Sequence, residues 1–273
     1  MKNKKVVAII QARTGSTRLQ GKVLMDIVGK PMLWHIIERA KRCKNVDSIV
    51  VATTTKQEDK MIMELAEKCG VETFTGKEND VLDRYYQAAK KFSADIIVRI
   101  TADCPLINPD TIDKMVSLCL KENADYICGH PDFPSIEQGV GVVSFAALEK
   151  VKNMAAKDYQ REHVTIYIKE NPELFKIVAT KPKTFFRRED MRLTVDTKED
   201  LKLMREIYNR LYKENEIINI EDVVRLLENN PKLKEININV KMSDVNKYAS
   251  SKILKKKILK SLTRKDNNGE KNI

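Results

Sequence analysis

The fold is decided by a short apolar run, Lys5–Ile10 (KVVAII), that leads directly into a polar loop, Gln11–Lys22 (QARTGSTRLQGK). β-Branched residues without polar alternation are typical of a strand that is buried on both faces, as in a parallel sheet covered by helices. In open α/β sheets, ligands bind beyond the carboxyl ends of the strands, which is where this loop follows. The two segments therefore predict an α/β fold with a binding site at the end of its first strand.

The alternation of strand and helix continues as far as residue 130. Short β-branched runs are separated by stretches whose apolar residues recur every three or four positions, the spacing of amphipathic helices. This order predicts a mostly parallel central sheet with helices on both faces. The predicted strands are Lys5–Ile10, Ser48–Ala52, Val71–Phe74, Asp95–Ile100 and Asp125–Cys128, and the predicted helices are Pro31–Lys44, Glu58–Cys69, Asn79–Phe92 and Pro109–Glu122.

The pattern changes after Gly129. Residues 129–185 are interpreted as a small antiparallel or mixed insertion within a domain that spans 1–230, and residues 231–273 as a basic C-terminal extension that is partly disordered. In these parts the predicted strands are Val140–Phe145, Leu174–Thr180 and Arg192–Val195, the predicted helices are 158–170, Lys198–Tyr212, Ile220–Glu228 and Lys252–Leu262, and disorder is predicted for Thr263–Ile273.

Charge and composition exclude several classes of protein. The net charge is +11, but eight Lys/Arg and two Asp/Glu in Lys252–Ile273 contribute +6 of it, which leaves +5 for the rest of the chain. That excess is not clustered with aromatic residues, so nucleic-acid binding is not expected. No stretch approaches the roughly 20 apolar residues of a membrane helix, and we expect a cytoplasmic protein. The five cysteines are odd in number and lack C-x-x-C pairs, which indicates neither a disulfide framework nor a zinc site.

The loop after the first predicted strand contains three cationic residues. Arg13, Arg18 and Lys22 are spaced five and four residues apart, with Gly15 and Gly21 between them. Cationic side chains with backbone N–H groups near a glycine are suited to a polyphosphate. The loop matches neither G-x-x-x-x-G-K-[ST] nor G-x-G-x-x-G. The alternative is a solvated basic loop.

Two aspartates are candidates for a magnesium site. Asp103 follows the predicted strand Asp95–Ile100, and Asp196 follows Arg192–Val195. Mg²⁺ usually takes one or two protein carboxylates together with phosphate oxygens, so a pair of aspartates at strand ends fits it. The alternative for Asp196 is the N-cap of the helix that follows.

Seven segments of the chain together match one known family. They are QARTGSTRLQGKVL, GKPMLWHIIERA, VVATTT, NDVLDRYYQAA, IVRITADCPLI, REHVTIYI and RLTVDTKEDL. With these segments the chain resembles the spore-coat polysaccharide biosynthesis protein F family, within the group of acylneuraminate and 3-deoxy-manno-octulosonate cytidylyltransferases. The resemblance implies a Rossmann-like nucleotidyltransferase fold, CTP as donor, a sugar acid or sugar-like acceptor, Mg²⁺ as cofactor, and a homodimer for surface-polysaccharide synthesis, with 129–185 binding the acceptor and the partner subunit.

The resemblance also assigns roles to residues. Asp103 and Asp196 would ligate Mg²⁺ and, with Arg13 and Lys22, form the catalytic set. His163 would lie near the acceptor, although a lone helical histidine is more often structural. Arg84 would face the nucleotide, the alternative being an ion pair with Asp80 or Asp83 on its own helix. The nucleotide-binding residues would be Gln11, Ala12, Arg13, Gly15, Ser16, Arg18, Lys22, Arg84 and Thr101.

The chain departs from the family pattern in the expected acceptor region. An acidic position that precedes the Ser-Phe pair of the family is Gly141 here, Ile166 stands where the family commonly has Pro, and Ala102 replaces a frequent Gly. The Gly141 change lies in the expected acceptor region and concerns the identity of the acceptor, whereas the phosphate and metal motifs are intact. Two other functions stay open: a sugar-phosphate nucleotidyltransferase that uses another nucleotide, and a glycosyltransferase, which typically needs an Asp-x-Asp motif that Thr101-Ala102-Asp103 lacks.

Overall fold

A seven-stranded sheet forms the centre of the protein in a computed structural model that describes residues 4–241 and 252–266. The strand order is β5-β4-β1-β6-β8-β7-β9, and β8 runs antiparallel to both of its neighbours while the other pairs are parallel. This confirms the predicted fold class. The strands are β1 (Val6–Gln11), β2 (Asp26–Ile27), β3 (Lys30–Pro31), β4 (Ser48–Thr54), β5 (Glu72–Gly76), β6 (Ile96–Thr101), β7 (Tyr126–Gly129), β8 (Val140–Ser144) and β9 (Ile177–Thr180).

Helices cover both faces of the sheet. The central strand β1 shows why: Val7 and Ile9 point into one apolar cluster, Ala8 and Ile10 into the other, and all four are at most 1% exposed. The two clusters together form the core. The helices are α1 (Met32–Ala40), α2 (Lys60–Lys68), α3 (Val81–Lys91), α4 (Pro109–Glu122), α5 (Phe145–Met154), α6 (Asp158–Glu162), α7 (Ile166–Glu170), α8 (Lys198–Leu211), α9 (Ile220–Asn229), α10 (Pro231–Glu235) and α11 (Lys252–Asp266).

Two predicted elements are wrong. The helix expected over 158–170 is broken into α6 and α7, because Val164 adopts a φ of +29°, outside the helical region. Arg192–Val195 is not a strand; instead a single backbone hydrogen bond, from Val195 N to Asp103 O (2.7 Å), holds this segment beside the end of β6. A small hairpin, β2–β3, was not predicted.

The C-terminal part packs against the domain. Beyond the expected boundary at residue 230, Leu233 is buried and the Asn237 side-chain amide donates to Asp200 Oδ1 (2.9 Å). The helix predicted at Lys252–Leu262 is present as α11 and buries Leu254 and Ile258. This helix continues to Asp266, so the disorder predicted for Thr263–Ile273 is wrong for residues 263–266. The rest of that predicted segment, 267–273, lies outside the described residues.

All five cysteines are buried and free. Within residues 4–241 and 252–266, no helix combines the length and the apolar character needed to cross a membrane.

Two adjacent tyrosines of α3 test how the central strands are held. The buried Tyr85 hydroxyl donates to Ile9 O (3.2 Å) on β1 and lies 3.0 Å from Ile100 O on β6, and burial raises its pKa to about 12, so it stays protonated at neutral pH. We expect Tyr85→Phe to lower the free energy of unfolding by about 1–3 kcal/mol, because two buried carbonyls lose a partner. Tyr86→Phe is the control. The Tyr86 hydroxyl donates to the exposed Glu149, so loss of this hydrogen bond should leave the free energy of unfolding unchanged. Urea denaturation measures the free energy of unfolding of both variants. Equal losses in Tyr85→Phe and Tyr86→Phe would contradict a role of the Tyr85 hydroxyl in holding β1 and β6.

Candidate active site

Thr14 fixes the shape of the loop after β1. Its carbonyl oxygen accepts hydrogen bonds from Ser16 N and Gly21 N, both 2.8 Å long, which closes the loop on itself. Its backbone N–H and its hydroxyl donate to Asp59 Oδ1 at 2.8 and 2.7 Å. A buried carboxylate from the start of α2 therefore anchors the loop that carries Arg13.

The Asp59 carboxylate has no cation in contact with it among the described residues. It is 1% exposed, and the Thr54 hydroxyl donates to its second oxygen. Burial alone would raise the pKa of Asp59, but hydrogen bonds from Thr54 and Thr14 outweigh burial and hold the pKa below its ordinary value. The carboxylate is thus ionised and held entirely by hydrogen bonds from the protein.

The ammonium group of Lys22 joins the two candidate metal ligands. Lys22 Nζ lies 2.9 Å from Asp196 Oδ1 and 3.8 Å from Asp103 Oδ2, and it also donates to Val195 O at 2.7 Å. Lys22 is only 9% exposed, so these contacts are shielded from water. Asp103 and Asp196 are therefore neighbours in space, as the two-carboxylate hypothesis requires.

Asp196 is the centre of an ion cluster rather than a helix cap. Arg18 contacts its Oδ1 (2.9 Å) and Arg192 its Oδ2 (2.6 Å), in addition to Lys22. Burial alone would raise the pKa of Asp196, but the three cations outweigh burial and lower it. The cap of α8 is Thr197, in a capping box with Asp200. The alternative interpretation of Asp196 as the N-cap is wrong.

Glycine 139 shapes the turn that carries Asp103. Its φ is +81°, and its carbonyl accepts from Thr101 N. A Cβ on Gly139 would meet Cys104 Sγ at 2.4 Å and Thr101 Oγ1 at 2.8 Å, so only glycine fits there. Cys104 is buried.

On the other side of the loop, Arg13 is held by α6. Arg13 Nη2 lies 3.1 Å from Glu162 Oε1. His163 follows directly, and no hydrogen bond of its ring to the described residues is seen. Arg84 is 2% exposed and donates to Lys77 O (2.6 Å) and Glu78 O (3.1 Å), so the alternative of a surface ion pair with Asp80 or Asp83 is wrong.

The remaining predicted nucleotide-binding residues line the same sheet edge. Gln11 and Thr101 are register partners at the ends of β1 and β6, and Gln11 Oε1 is buried without a hydrogen-bond partner among the described residues. Ala12 N donates to Ala52 O at 3.2 Å. A Cβ on Gly15 would lie 3.2 Å from Glu78 Oε1. These residues surround one end of the sheet.

The donor set fits a magnesium ion. Among the described residues there is no cluster of three or more His, Cys, Asp or Glu side chains, which argues against an all-protein cage. Mg²⁺ commonly binds one or two carboxylates and completes its shell with water and phosphate oxygens. The Lys22 ammonium group contacts carboxylate oxygens of both Asp103 and Asp196, so these two side chains are the ones that would hold the ion.

Sequence reasoning missed several residues of the site. Asp59 anchors Thr14, Glu162 pairs with Arg13, and Arg192 pairs with Asp196 and Asp200. Glu162 and Arg192 lie in the REHVTIYI and RLTVDTKEDL segments, so their motifs were visible although their roles were not. Asp59 gave no signal, because a polar residue at the start of an amphipathic helix is ordinarily exposed.

Comparisons with known proteins agree with the resemblance. The sequence model of the family described as Cytidylyltransferase matches residues 7–240. An uncharacterised protein of Methanocaldococcus jannaschii is 46% identical over 241 residues, which cover 87% of this chain and 96% of that protein. The spore coat polysaccharide biosynthesis protein SpsF of Bacillus subtilis is 31% identical over 240 residues, 83% of this chain and 95% of SpsF. The structure of a cytidylyltransferase from Leptospira borgpetersenii superposes with a TM-score of 0.80 at 32% identity, covering 88% of this chain and 100% of that one.

The anchoring role of Asp59 predicts a pH-dependent effect. Asp59→Asn should lower the free energy of unfolding by about 1–3 kcal/mol at neutral pH, because charge-assisted bonds from Thr14 are lost. Since the folded pKa of Asp59 lies below the unfolded value of about 3.9, its contribution is present above that pH and lost as pH falls through the folded pKa. The difference in free energy of unfolding between wild type and Asp59→Asn should therefore become smaller below about pH 4. Glu58→Gln, at the exposed neighbouring position, is the control. Urea titrations at several pH values measure the free energy of unfolding of each protein. A difference between wild type and Asp59→Asn that does not change with pH would contradict the anchoring role of Asp59.

Proposed function

The chain belongs to the cytidylyltransferase family and is a nucleotidyltransferase, and from this we propose that it transfers CMP from CTP to an acidic sugar or sugar-like acceptor, releasing pyrophosphate. One observation carries the proposal: Lys22 contacts both Asp103 and Asp196 at the carboxyl ends of the central strands, beside a loop with two further cations. The name of the Bacillus subtilis relative supports a place in polysaccharide synthesis.

The reaction follows from this arrangement. An oxygen of the acceptor attacks the α-phosphorus of CTP in line with the bond to the β-phosphate; that bond breaks, and pyrophosphate leaves with its electron pair. The protein contributes position and electrostatic stabilisation, since Arg13, Arg18 and Lys22 neutralise the triphosphate. In the structure each of these cations is held by a carboxylate, Glu162 or Asp196, whose place phosphate oxygens take when CTP binds.

Asp103 and Asp196 would hold Mg²⁺. The ion supplies charge neutralisation on the phosphates and lowers the pKa of the attacking group. The two aspartates differ in what else they do: the Asp103 side chain is 30% exposed and is 3.8 Å from Lys22, whereas Asp196 is in close contact with three cations. Asp103 is thus free to serve the metal, while Asp196 also holds the loop.

We further propose that the protein is a homodimer and that residues 129–185 form the contact. This segment exposes Met154 and Leu174, which are 45% and 38% accessible. Both are apolar side chains that an interface would cover.

Nucleotide preference tests the cytidylyl assignment. With Mg²⁺ present, CTP should raise the melting temperature more than UTP, GTP or ATP, because the phosphate loop serves any triphosphate and only base contacts discriminate. A ligand at 100 times its Kd stabilises by about 2.7 kcal/mol, which a thermal melt detects easily. An equal or larger shift with another nucleotide would overturn the choice of CTP while leaving the transferase class intact.

Replacement of the two aspartates tests the metal site. Asp103→Asn and Asp196→Asn should each reduce kcat severely, and the double variant should be little worse than either, because both act through one ion. Their stabilities should differ: Asp103→Asn should melt like wild type, while Asp196→Asn should lose about 3–5 kcal/mol, because three cations lose their buried partner.

The control for this pair is Asp222→Asn, at an exposed carboxylate in the first turn of α9, which should match wild type in both measurements. Chelation by EDTA should abolish wild-type turnover, and added Mg²⁺ should restore it. Full turnover by Asp103→Asn would remove that residue from the metal site.

A further inference from the structure

The carboxylate of Asp200 is a buried hydrogen-bond acceptor in the first turn of α8. It is 1% exposed, and its Oδ2 accepts from the backbone N–H groups of Asp196 (3.0 Å) and Thr197 (3.1 Å). Its Oδ1 accepts from Arg192 Nε (2.9 Å). The bond from Thr197 belongs to the capping box of the helix, but the bonds from Asp196 and Arg192 do not. Asp200 therefore has contacts that the cap of α8 does not explain.

Arg192 links Asp200 to the carboxylate of Asp196. Its guanidinium donates to Asp200 through Nε (2.9 Å) and to Asp196 Oδ2 through Nη2 (2.6 Å). Because a guanidinium is planar and holds its donors in a fixed arrangement, a partner that fixes Nε also orients Nη2. Asp200 thus holds Asp196 at two places: at its backbone N–H and, through Arg192, at its side chain. The other oxygen of Asp196, Oδ1, faces Lys22, which also contacts Asp103.

Asn237 completes this network from beyond residue 230. Its side-chain amide donates to Asp200 Oδ1 (2.9 Å) and to Arg192 O (3.0 Å), and the residue is 4% exposed. One amide therefore ties the Asp200 carboxylate to the backbone of the arginine that pairs with it. The segment that carries Asn237 is itself fixed, since Leu233 is buried and Lys234 Nζ lies 2.8 Å from Asp190 Oδ2.

We propose that Asp200 and Asn237 are positioning residues that fix the Asp196 carboxylate for the metal. This inference rests on the proposed function, since it concerns the site assigned there to Mg²⁺. Neither residue contacts the ion or the substrates; both act through Arg192 and the backbone of Asp196. Groups that hydrogen-bond to a metal ligand orient that ligand, and their loss typically lowers metal affinity or activity about 10- to 100-fold. The metal site then depends on a segment outside the predicted domain of residues 1–230.

A purely structural role of the two residues predicts a different result. Asp200 and Asn237 would then contribute to stability alone, and their replacement would leave the metal affinity of the folded protein unchanged. Buried hydrogen bonds stabilise folded proteins in either case, so a lower melting temperature does not distinguish the two roles. Metal binding to the folded protein does.

Manganese binding measures this affinity without turnover. Mn²⁺ is suited to the same carboxylate, carbonyl and water oxygens as Mg²⁺, and its electron paramagnetic resonance signal separates free from bound ion. The full-length protein is titrated with Mn²⁺ in the presence of a CTP analogue that carries a methylene between the α- and β-phosphates. We expect Asn237→Ala to raise the Kd of Mn²⁺ by about 10-fold or more and to leave metal-free binding of the analogue little changed. The Mg²⁺ concentration for half-maximal turnover should rise with that Kd.

Two further variants separate hydrogen bonding from packing. Asn237→Asp keeps the size of the side chain but replaces the amide donor by a carboxylate beside Asp200, so it should weaken Mn²⁺ at least as much as Asn237→Ala. Asp200→Asn should weaken Mn²⁺ as well, and its combination with Asn237→Ala should be little worse than Asp200→Asn alone, because both act through one carboxylate. If Asp200→Asn does not fold, the two Asn237 variants still decide between the roles.

The controls match the lost amide and the lost stability. Asn45→Ala removes another side-chain amide that joins distant segments, through bonds to Asp113 O (3.1 Å) and Ser117 Oγ (3.0 Å). Leu148→Ala removes a buried side chain from the apolar cluster that contains Val7 and Ile9, which should lower the melting temperature without touching the network. Both variants should bind Mn²⁺ like wild type.

Unchanged Mn²⁺ affinity in either Asn237 variant overturns the inference. A loss of affinity in Leu148→Ala equal to that in Asn237→Ala also overturns it, because the effect would then follow from lost stability. The proposed metal site fails in a different way: wild type binds no Mn²⁺ with the CTP analogue, or Asp196→Asn binds it as tightly as wild type. Either of those results overturns the metal site itself, and the positioning role with it.

Discussion

One buried carboxylate, Asp196, holds the candidate site together. It contacts Lys22 and Arg18 of the loop after β1 and Arg192 from its own segment, all within 2.9 Å. The contacts with Lys22 and Arg18 join parts of the chain that are more than 170 positions apart, and Lys22 and Asp196 are shielded from water, where ion pairs are strong. At its other end the loop is fixed by the Thr14–Asp59 hydrogen bonds. A loop rich in cations is thereby given one conformation before any phosphate arrives.

This arrangement has an electrostatic consequence. Three neighbouring cations repel one another when no anion lies between them, and a flexible loop would spread them apart. Glu162 and Asp196 hold Arg13, Arg18 and Lys22 at short distances instead. In the proposed function, phosphate oxygens would take the place of these carboxylate oxygens, so little reorganisation would accompany binding. The carboxylates would then compete with phosphate, and in return the proposed site is already arranged before CTP binds.

The sequence predicted the fold well, because unbroken apolar runs such as VVAII indicate buried strands and apolar residues at spacings of three and four indicate helices. It also named Asp103, Asp196 and Lys22, from predicted strand ends or a specific motif, and the structure brings the three side chains together. It failed where tertiary contacts decide: Arg192–Val195 is fixed by a single backbone bond rather than a strand ladder, and the β2–β3 hairpin turns through Val28 at a φ of +48°, without the Asn-Gly signal of such turns. Two partners of the loop could not be predicted, since Asp59, which accepts from Thr14, and Glu162, which pairs with Arg13, are distant from the loop in sequence.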